Sequence, residues 1–449
     1  MYVVVKEEIM TALFTTRLSG HMRRILNVRR FYPSVKLFSN GETNQIESFL
    51  NDYTDLEFRP LHLKSCIFGE SFTNARIDHD EFYFTDPSTG KEIVPTIDLK
   101  TLFHHGVEKL ETFVRGEFNI NPQNKEYQDF CSSVLALLSF IRNISNHEMA
   151  LKDKYEGSTV LDDKECCVAA LLTNHLLSPL VPGLDYIIDN QYQDKPTYCP
   201  CWSRSCRKII NYGRTSLGNS KMWYGYPDVV VFPNIVMVEQ DFEQEEEEKE
   251  DMYNLQNEKR AFEICELETN QNINILRKKE RIASEIISQT ITSSLYTSAL
   301  RIRKPELGIP DISLIPSLLL TPSTYCIYMY DSKHDILLTS GPNPTYLWDN
   351  SGVGYRFNKS AIMHIWMALN HFQLLPSIDP AHIELIKQSS NFQKLCEANG
   401  LELATIASQI QFQSKFVKPE KFGHKNRNTK RLESSRNNTP HINSTNKYG

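Results

Sequence analysis

Asp228, in the run Trp223-Tyr224-Gly225-Tyr226-Pro227-Asp228, and Glu266, in Ala261-Phe262-Glu263-Ile264-Cys265-Glu266-Leu267-Glu268, are acids set beside apolar stretches. An ionised side chain in such a place needs a partner. Carboxylates from neighbouring strands suit a hard divalent cation, because Mg²⁺ takes one or two of them, keeps several waters and accepts a substrate phosphate. The chemistry such a pair could support is metal-assisted hydrolysis at a phosphate. Mn²⁺ is the expected substitute.

The elements that must position these groups follow from patterning. Val229-Val230-Val231-Phe232 is an apolar, β-branched run that predicts a core strand, Pro233-Asn234 a turn, and Ile235-Val236-Met237-Val238 the returning strand of a hairpin. From 239 to 259 acids dominate and apolar residues are scarce, with Glu245, Glu246, Glu247 and Glu248 consecutive, which predicts a disordered acidic insertion. Apolar character resumes at 261–268, where alternation predicts a short strand with Ile264, Glu266 and Glu268 on one face. A long amphipathic helix is then expected from about 273 to 301, through Ile275, Ile282, Ile286 and Leu295.

At these residues the chain resembles the PD-(D/E)XK nuclease superfamily. The match is carried by Pro227-Asp228, by Glu266 and by Gln289 on the following helix. More narrowly it is similar to a group of uncharacterised invertebrate proteins with a Gly-Tyr-Pro-Asp strand, an acidic insertion, a Glu-x-Lys strand and a helix like Ser288-Gln289-Thr290-Ile291; the likeness spans roughly residues 158 to 375. The resemblance implies a restriction-endonuclease-like α/β core, a mixed central sheet flanked by helices, that hydrolyses nucleic acid with Mg²⁺. It also implies that Glu165, on a helix before the first strand, joins Asp228 and Glu266 at the metal, and that Gln289 belongs to the site. The alternative for Glu165 is an acid that complements its helix dipole. Glu268 stands where the family usually has Lys; it can act as a general base but supplies no positive charge, which would favour a second metal, or alternatively Lys278 or Lys279 could reach in. A second register stays open, in which Glu239-Gln240-Asp241 on the returning strand is the second acidic element. The resemblance favours Glu266, since in the invertebrate group the insertion precedes the Glu-x-Lys strand.

The chain has 449 residues and a net charge of −6, but the charge is segregated, with acid around 239–251 and base in the last thirty-odd residues. The expected organisation is a mostly helical accessory region over 1–150, the core over 151–378, a helical extension over 379–414 and a disordered basic tail over 415–449. That tail, with Lys418, Lys421, Lys425, Arg427, Lys430 and Arg431, fits a phosphate tether or a nuclear address. Ten cysteines without a secretory signal favour a reducing compartment, and no apolar run is long enough to span a bilayer, so an intracellular, soluble protein is expected. Arg17, Arg23, Arg24, Arg29 and Arg30 predict a basic surface helix, with an organelle-targeting segment as the alternative.

Cys199-Pro200-Cys201 and Cys206 are three thiols where a closed zinc site needs four ligands, with His175 the nearest imidazole in sequence. Free thiols in a loop are expected there. Arg204, Arg207, Lys208 and Arg214, interleaved with Trp202 and Tyr212, give that loop the character of a nucleic-acid contact or of a surface that docks on the acidic insertion. The adjacent pair His104-His105 would point apart on a helix, which argues against a joint metal site. No phosphate loop, His-Glu-x-x-His or Gly-x-Ser-x-Gly occurs. Against the nuclease reading stands a nuclease-like fold without catalysis, used as a nucleic-acid-binding or protein-interaction module.

Overall fold

The computed structural model describes residues 46–50, 53–86, 88–117, 124–155, 165–193, 195–201, 206–232, 235–240, 261–341, 345–349 and 356–416. Of the segment expected as a disordered acidic insertion, 239–259, the first two residues end a strand and the rest lies outside those described; of the expected basic tail, 415–449, the first two residues likewise end a strand and the rest lies outside, as does the arginine-rich stretch near the N-terminus.

Apolar strands dominate, and their alternating side chains serve two cores at once. In chain order they are β1 (Glu57–Cys66), β2 (Ile77–Glu81), β3 (Tyr186–Asp189), β4 (Tyr212–Gly218), β5 (Trp223–Gly225), β6 (Val229–Val231), β7 (Val236–Gln240), β8 (Leu314–Leu320), β9 (Thr324–Asp331), β10 (Ile336–Thr339) and β11 (Gln411–Phe416). They belong to a 14-stranded mixed sheet whose order runs β5-β4-β3-β6-β7-β8-β9-β10-β1-β2, with β11 pairing β4. β3 runs antiparallel to β6, and β6 to β7, whereas β7 and β8 are parallel.

A parallel step needs a crossover, and helix α5 (Ala261–Arg303) supplies it. Ile286, Ile287, Ile291 and Leu295 of α5 pack with Ile187, Val230, Met237, Tyr330 and Leu337 on one face. The opposite face, through Ile188, Val229, Val231, Val238, Leu318 and Met329, meets α2 (Lys125–Arg142), α4 (Glu165–Leu172) and α6 (Lys359–Leu369). Both faces are therefore covered, which is why Val229-Val230-Val231 is apolar throughout rather than alternating.

The mixed α/β architecture and the 229–238 hairpin agree with the sequence reading. The strand expected at 261–268 does not form, because α5 already begins at Ala261. Ala, Leu and Glu are strong helix formers, and the crossover to β8 lets the helix extend backwards over them. The region expected to be mostly helical contains α1 (His104–Val114), α2 and α3 (Ile144–Tyr155). Its residues 57–81, however, form β1 and β2, and β1 pairs β10 with Arg59 opposite Thr339. The expected helical extension over 379–414 holds α7 (Phe392–Ala398) and α8 (Leu403–Gln409), but from Gln411 it forms β11 rather than helix. No helix among the described residues is long and apolar enough to cross a membrane.

Candidate active site

Three neighbouring strands meet acids at the same end. β3 closes on Asp189, Asp228 immediately precedes β6, and Glu239 is the fourth residue of β7. In the β6–β7 pairing Val229 faces Val238, so one further step sets Asp228 opposite Glu239. In the β3–β6 pairing Val229 faces Ile188, so the same step sets Asp228 beside Asp189, and the Asp189 amide donates to the Asp228 carbonyl at 2.9 Å. Directly opposed residues have Cβ atoms roughly 4.5–5.5 Å apart. A row of three carboxylates across three strands results.

Two helices add to the row from opposite sides of the sheet. Glu165 opens α4, and Tyr192, on the loop after β3, connects it to the strands: its hydroxyl donates a short hydrogen bond to Asp228 Oδ1 and lies 3.5 Å from Glu165 Oε1. From α5, Gln289 Nε2 donates to Glu239 Oε2 at 2.6 Å. Strand alternation explains this pairing, because Met237 and Glu239 share the face that α5 covers. Glu285 lies one turn before Gln289, and Lys278 and Arg281 continue the same helical stripe outward. The stripe is acidic and buried at 285, basic and more exposed at 278 and 281.

Burial raises the proton affinity of Glu239, Glu285, Glu165 and Asp189, and repulsion from neighbouring acids adds to it at Glu239 and Glu285. Glu239, 9 % exposed, is held well above the usual carboxylate range by burial, then by Asp228 and Glu285, against the pull of the Gln289 hydrogen bond. Glu285 is pushed up to about 7 by burial, with Arg281 opposing and Glu165 adding. Burial also raises Glu165, and the Tyr192 hydrogen bond lowers it in part. Asp189 is raised by burial, against backbone hydrogen bonds at Gln191 and Asn190 and the charge of Lys195. The Tyr192 hydroxyl is pushed far up by burial and by Asp228 and Glu165, so it stays a donor. No family model, curated protein or solved structure matches the chain. What the site does must be argued from its own geometry.

Of the residues singled out from sequence, the structure brings together Asp228, Glu165 and Gln289, and it brings Glu239 of the second register with them. Glu266 and Glu268 stand on α5 rather than on a strand, in a part of the helix whose side chains lie outside those described. Sequence reasoning missed Asp189, Tyr192 and Glu285. Asp189 carried a legible signal, an acid closing the apolar run Tyr186-Ile187-Ile188, and Glu285 another, its four-residue spacing from Gln289. Tyr192 carried none.

A second cluster joins the loop between β3 and β4 to the turn that follows α4. His175, Cys199, Cys201 and Cys206 have ligand atoms all within 4.8 Å of one another. Among the described residues this is the only such group of three or more metal-ligating side chains, so the carboxylates are more widely spaced.

Proposed function

We propose that the carboxylate row is a divalent-cation site serving phosphodiester hydrolysis of nucleic acid, on a PD-(D/E)XK-like core with Glu239 in place of Glu266. The observation that carries the reading is the register of β6 and β7, which sets Asp228 against a buried Glu239 that Gln289 holds. Helix Glu165, strand Asp228, strand Glu239 and helix Gln289 then occur in the order the resemblance implies. Along a helix Glu266 is nineteen residues from Glu285, or about 28 Å of rise, which weakens its case.

The donor set fits a hard ion. It is all oxygen, with no thiol or imidazole among the named contacts, and an ion that keeps several of its waters needs few direct protein ligands. Asp228, Glu239 and Glu165 would hold Mg²⁺, or Mn²⁺ in its place. When bound, such an ion lowers the pKa of water and offsets charge on a phosphate. Gln289 orients Glu239. Glu285, poised near neutrality, can take the proton that an attacking water gives up, as a general base should. Lys278 and Arg281, outward on the same stripe, offer the positive charge that the family's usual Lys would supply.

Asp241 at the place of that Lys favours a second reading, a nucleic-acid-binding or protein-interaction module without catalysis. Calorimetric titration of the protein with Mn²⁺, followed by nicking assays on plasmid, single-stranded DNA and RNA, separates the two. Binding and nicking abolished by Asp228→Asn and Glu239→Gln, and spared by Glu266→Ala, support the enzyme. Binding without nicking supports the module, and no binding removes the metal site altogether.

A further inference from the structure

The loop between β3 and β4 doubles back on itself. Tyr198 and Ile209 form an antiparallel bridge, the Cys199 amide donates to the Lys208 carbonyl at 2.8 Å, and the Ile210 amide to the Thr197 carbonyl at 3.1 Å. One leg of this hairpin carries Cys199 and Cys201, and Cys206 begins the other, just before Arg207 at φ 34°. The fourth polar group comes from elsewhere in the fold. His175 lies in the π turn Thr173–Leu177 that extends α4, and such widened turns recur at functional sites.

His175 Nε2 is 3.3 Å from Cys199 Sγ and 3.6 Å from Cys206 Sγ. With zinc–sulfur and zinc–nitrogen bonds of about 2.3 and 2.0–2.1 Å, a tetrahedral site sets sulfur and nitrogen ligands about 3.5 Å apart and sulfur atoms about 3.8 Å apart. The observed separations bracket the first value, and the 4.8 Å limit on the whole group accommodates the second. We propose that Cys199, Cys201, Cys206 and His175 bind a structural zinc ion.

The surroundings support that assignment. With Nε2 turned to the sulfurs, Nδ1 of His175 lies 3.4 Å from His147 Nδ1; with zinc on Nε2 the remaining proton would sit on Nδ1 and be donated to His147, in the way a ligating imidazole is held from behind. His147 is fixed in turn by stacking on Phe140, the ring centroids 4.8 Å apart and nearly parallel. Thiolates and imidazole are the ligands zinc prefers over Mg²⁺, and four of them leave no open position for substrate. The described cysteines are free thiols, so no disulfide competes for these sulfurs. The centre ties α4, which carries Glu165, to the loop that carries Tyr192, and it stands whether or not the carboxylate row hydrolyses anything.

The test uses the full chain, purified without chelators or a polyhistidine tag. One equivalent of zinc should survive dialysis, and Co²⁺ in its place should give intense thiolate-to-cobalt absorption with tetrahedral visible bands. His147→Ala should weaken zinc binding about 10- to 100-fold. Cys206→Ser should lose the zinc. Should that variant fail to fold, alkylation of the unmutated protein decides: chelation must expose Cys199, Cys201 and Cys206 to iodoacetamide while leaving the rate at Cys66 and Cys396 unchanged. Absence of zinc after growth in zinc-supplemented medium, absence of the cobalt–thiolate band, a disulfide among the three cysteines, or alkylation indifferent to chelator would each overturn the assignment.

Discussion

The two clusters begin from opposite electrostatics. At the loop, three thiols and an imidazole can pack as neutral groups much as apolar side chains do, and their ligand atoms lie within 4.8 Å of one another. At the strand ends the groups are carboxylates. Two ionised carboxylates about 5 Å apart at an effective dielectric of ~20 repel by roughly 3 kcal/mol, so burial leaves them the choice of taking protons or interposing donors. The structure does both: Glu239 and Glu285 are shifted upward, while the Tyr192 hydroxyl and the Gln289 amide stand against Asp228 and Glu239. On the two proposals, the soft set would hold a structural ion, whereas the repelling hard ligands would form a site that a cation relaxes.

The sharpest way to break that contrast is to neutralise one member of each. Glu239→Gln removes a buried acid yet keeps an acceptor for Gln289. Mn²⁺ affinity, and any cleavage, should fall on the order of 100-fold or more. The metal-free variant should nonetheless be more stable near neutral pH, because burial and Asp228 hold Glu239 well above the usual carboxylate range and the unfolded chain no longer gains from ionising it. Cys206→Ser should do the reverse and lower the melting temperature. A Glu239→Gln protein that binds Mn²⁺ normally, or melts lower than the parent, would remove the carboxylate row from the argument.

The pH dependence follows from the same shifts. Glu285 is raised from 4.5 to about 7, so between those values the folded state holds more protons than the unfolded one. Stability at this group is full below about pH 4.5 and is lost as pH rises through about 7. In metal-free buffer the melting temperature should therefore decline from pH 5 to pH 8, Mn²⁺ should flatten the decline, and Glu285→Gln should remove part of it. A melting temperature that climbs over that interval would show these carboxylates ionised and satisfied.

What sequence could reveal here depended on how far each partner lay along the chain. The 229–238 hairpin was legible because its signals, an apolar run, Pro233-Asn234 and a second apolar run, are local, and Asp228 came with it. The partner of Asp228 was harder, since period-2 alternation at 261–268 imitates a strand in residues that form helix. Choosing Glu239 needs the register of a sheet, not its strands. The thiol cluster shows the same limit more plainly: a loop with three ligands looked incomplete because the fourth comes from the end of a helix some two dozen residues earlier. Tyr192 reaches Asp228 only through the path of the folded loop.

Tyr192 therefore offers the finest test of how the two clusters are related. Tyr192→Phe keeps the ring packed and removes only the hydroxyl shared between Asp228 and Glu165, so the fold should lose about 1 kcal/mol. If the hydroxyl orients Asp228 for a cation, Mn²⁺ affinity should drop by about 10-fold, less than for Glu239→Gln. Because the ring rides on the loop that the thiols anchor, protein prepared free of zinc should show the same loss. Removing both should cost little more than removing either, since two changes that act through one hydrogen bond are not additive. Independent, additive losses in that cycle would mean that the thiol centre stabilises its loop without reaching the carboxylates.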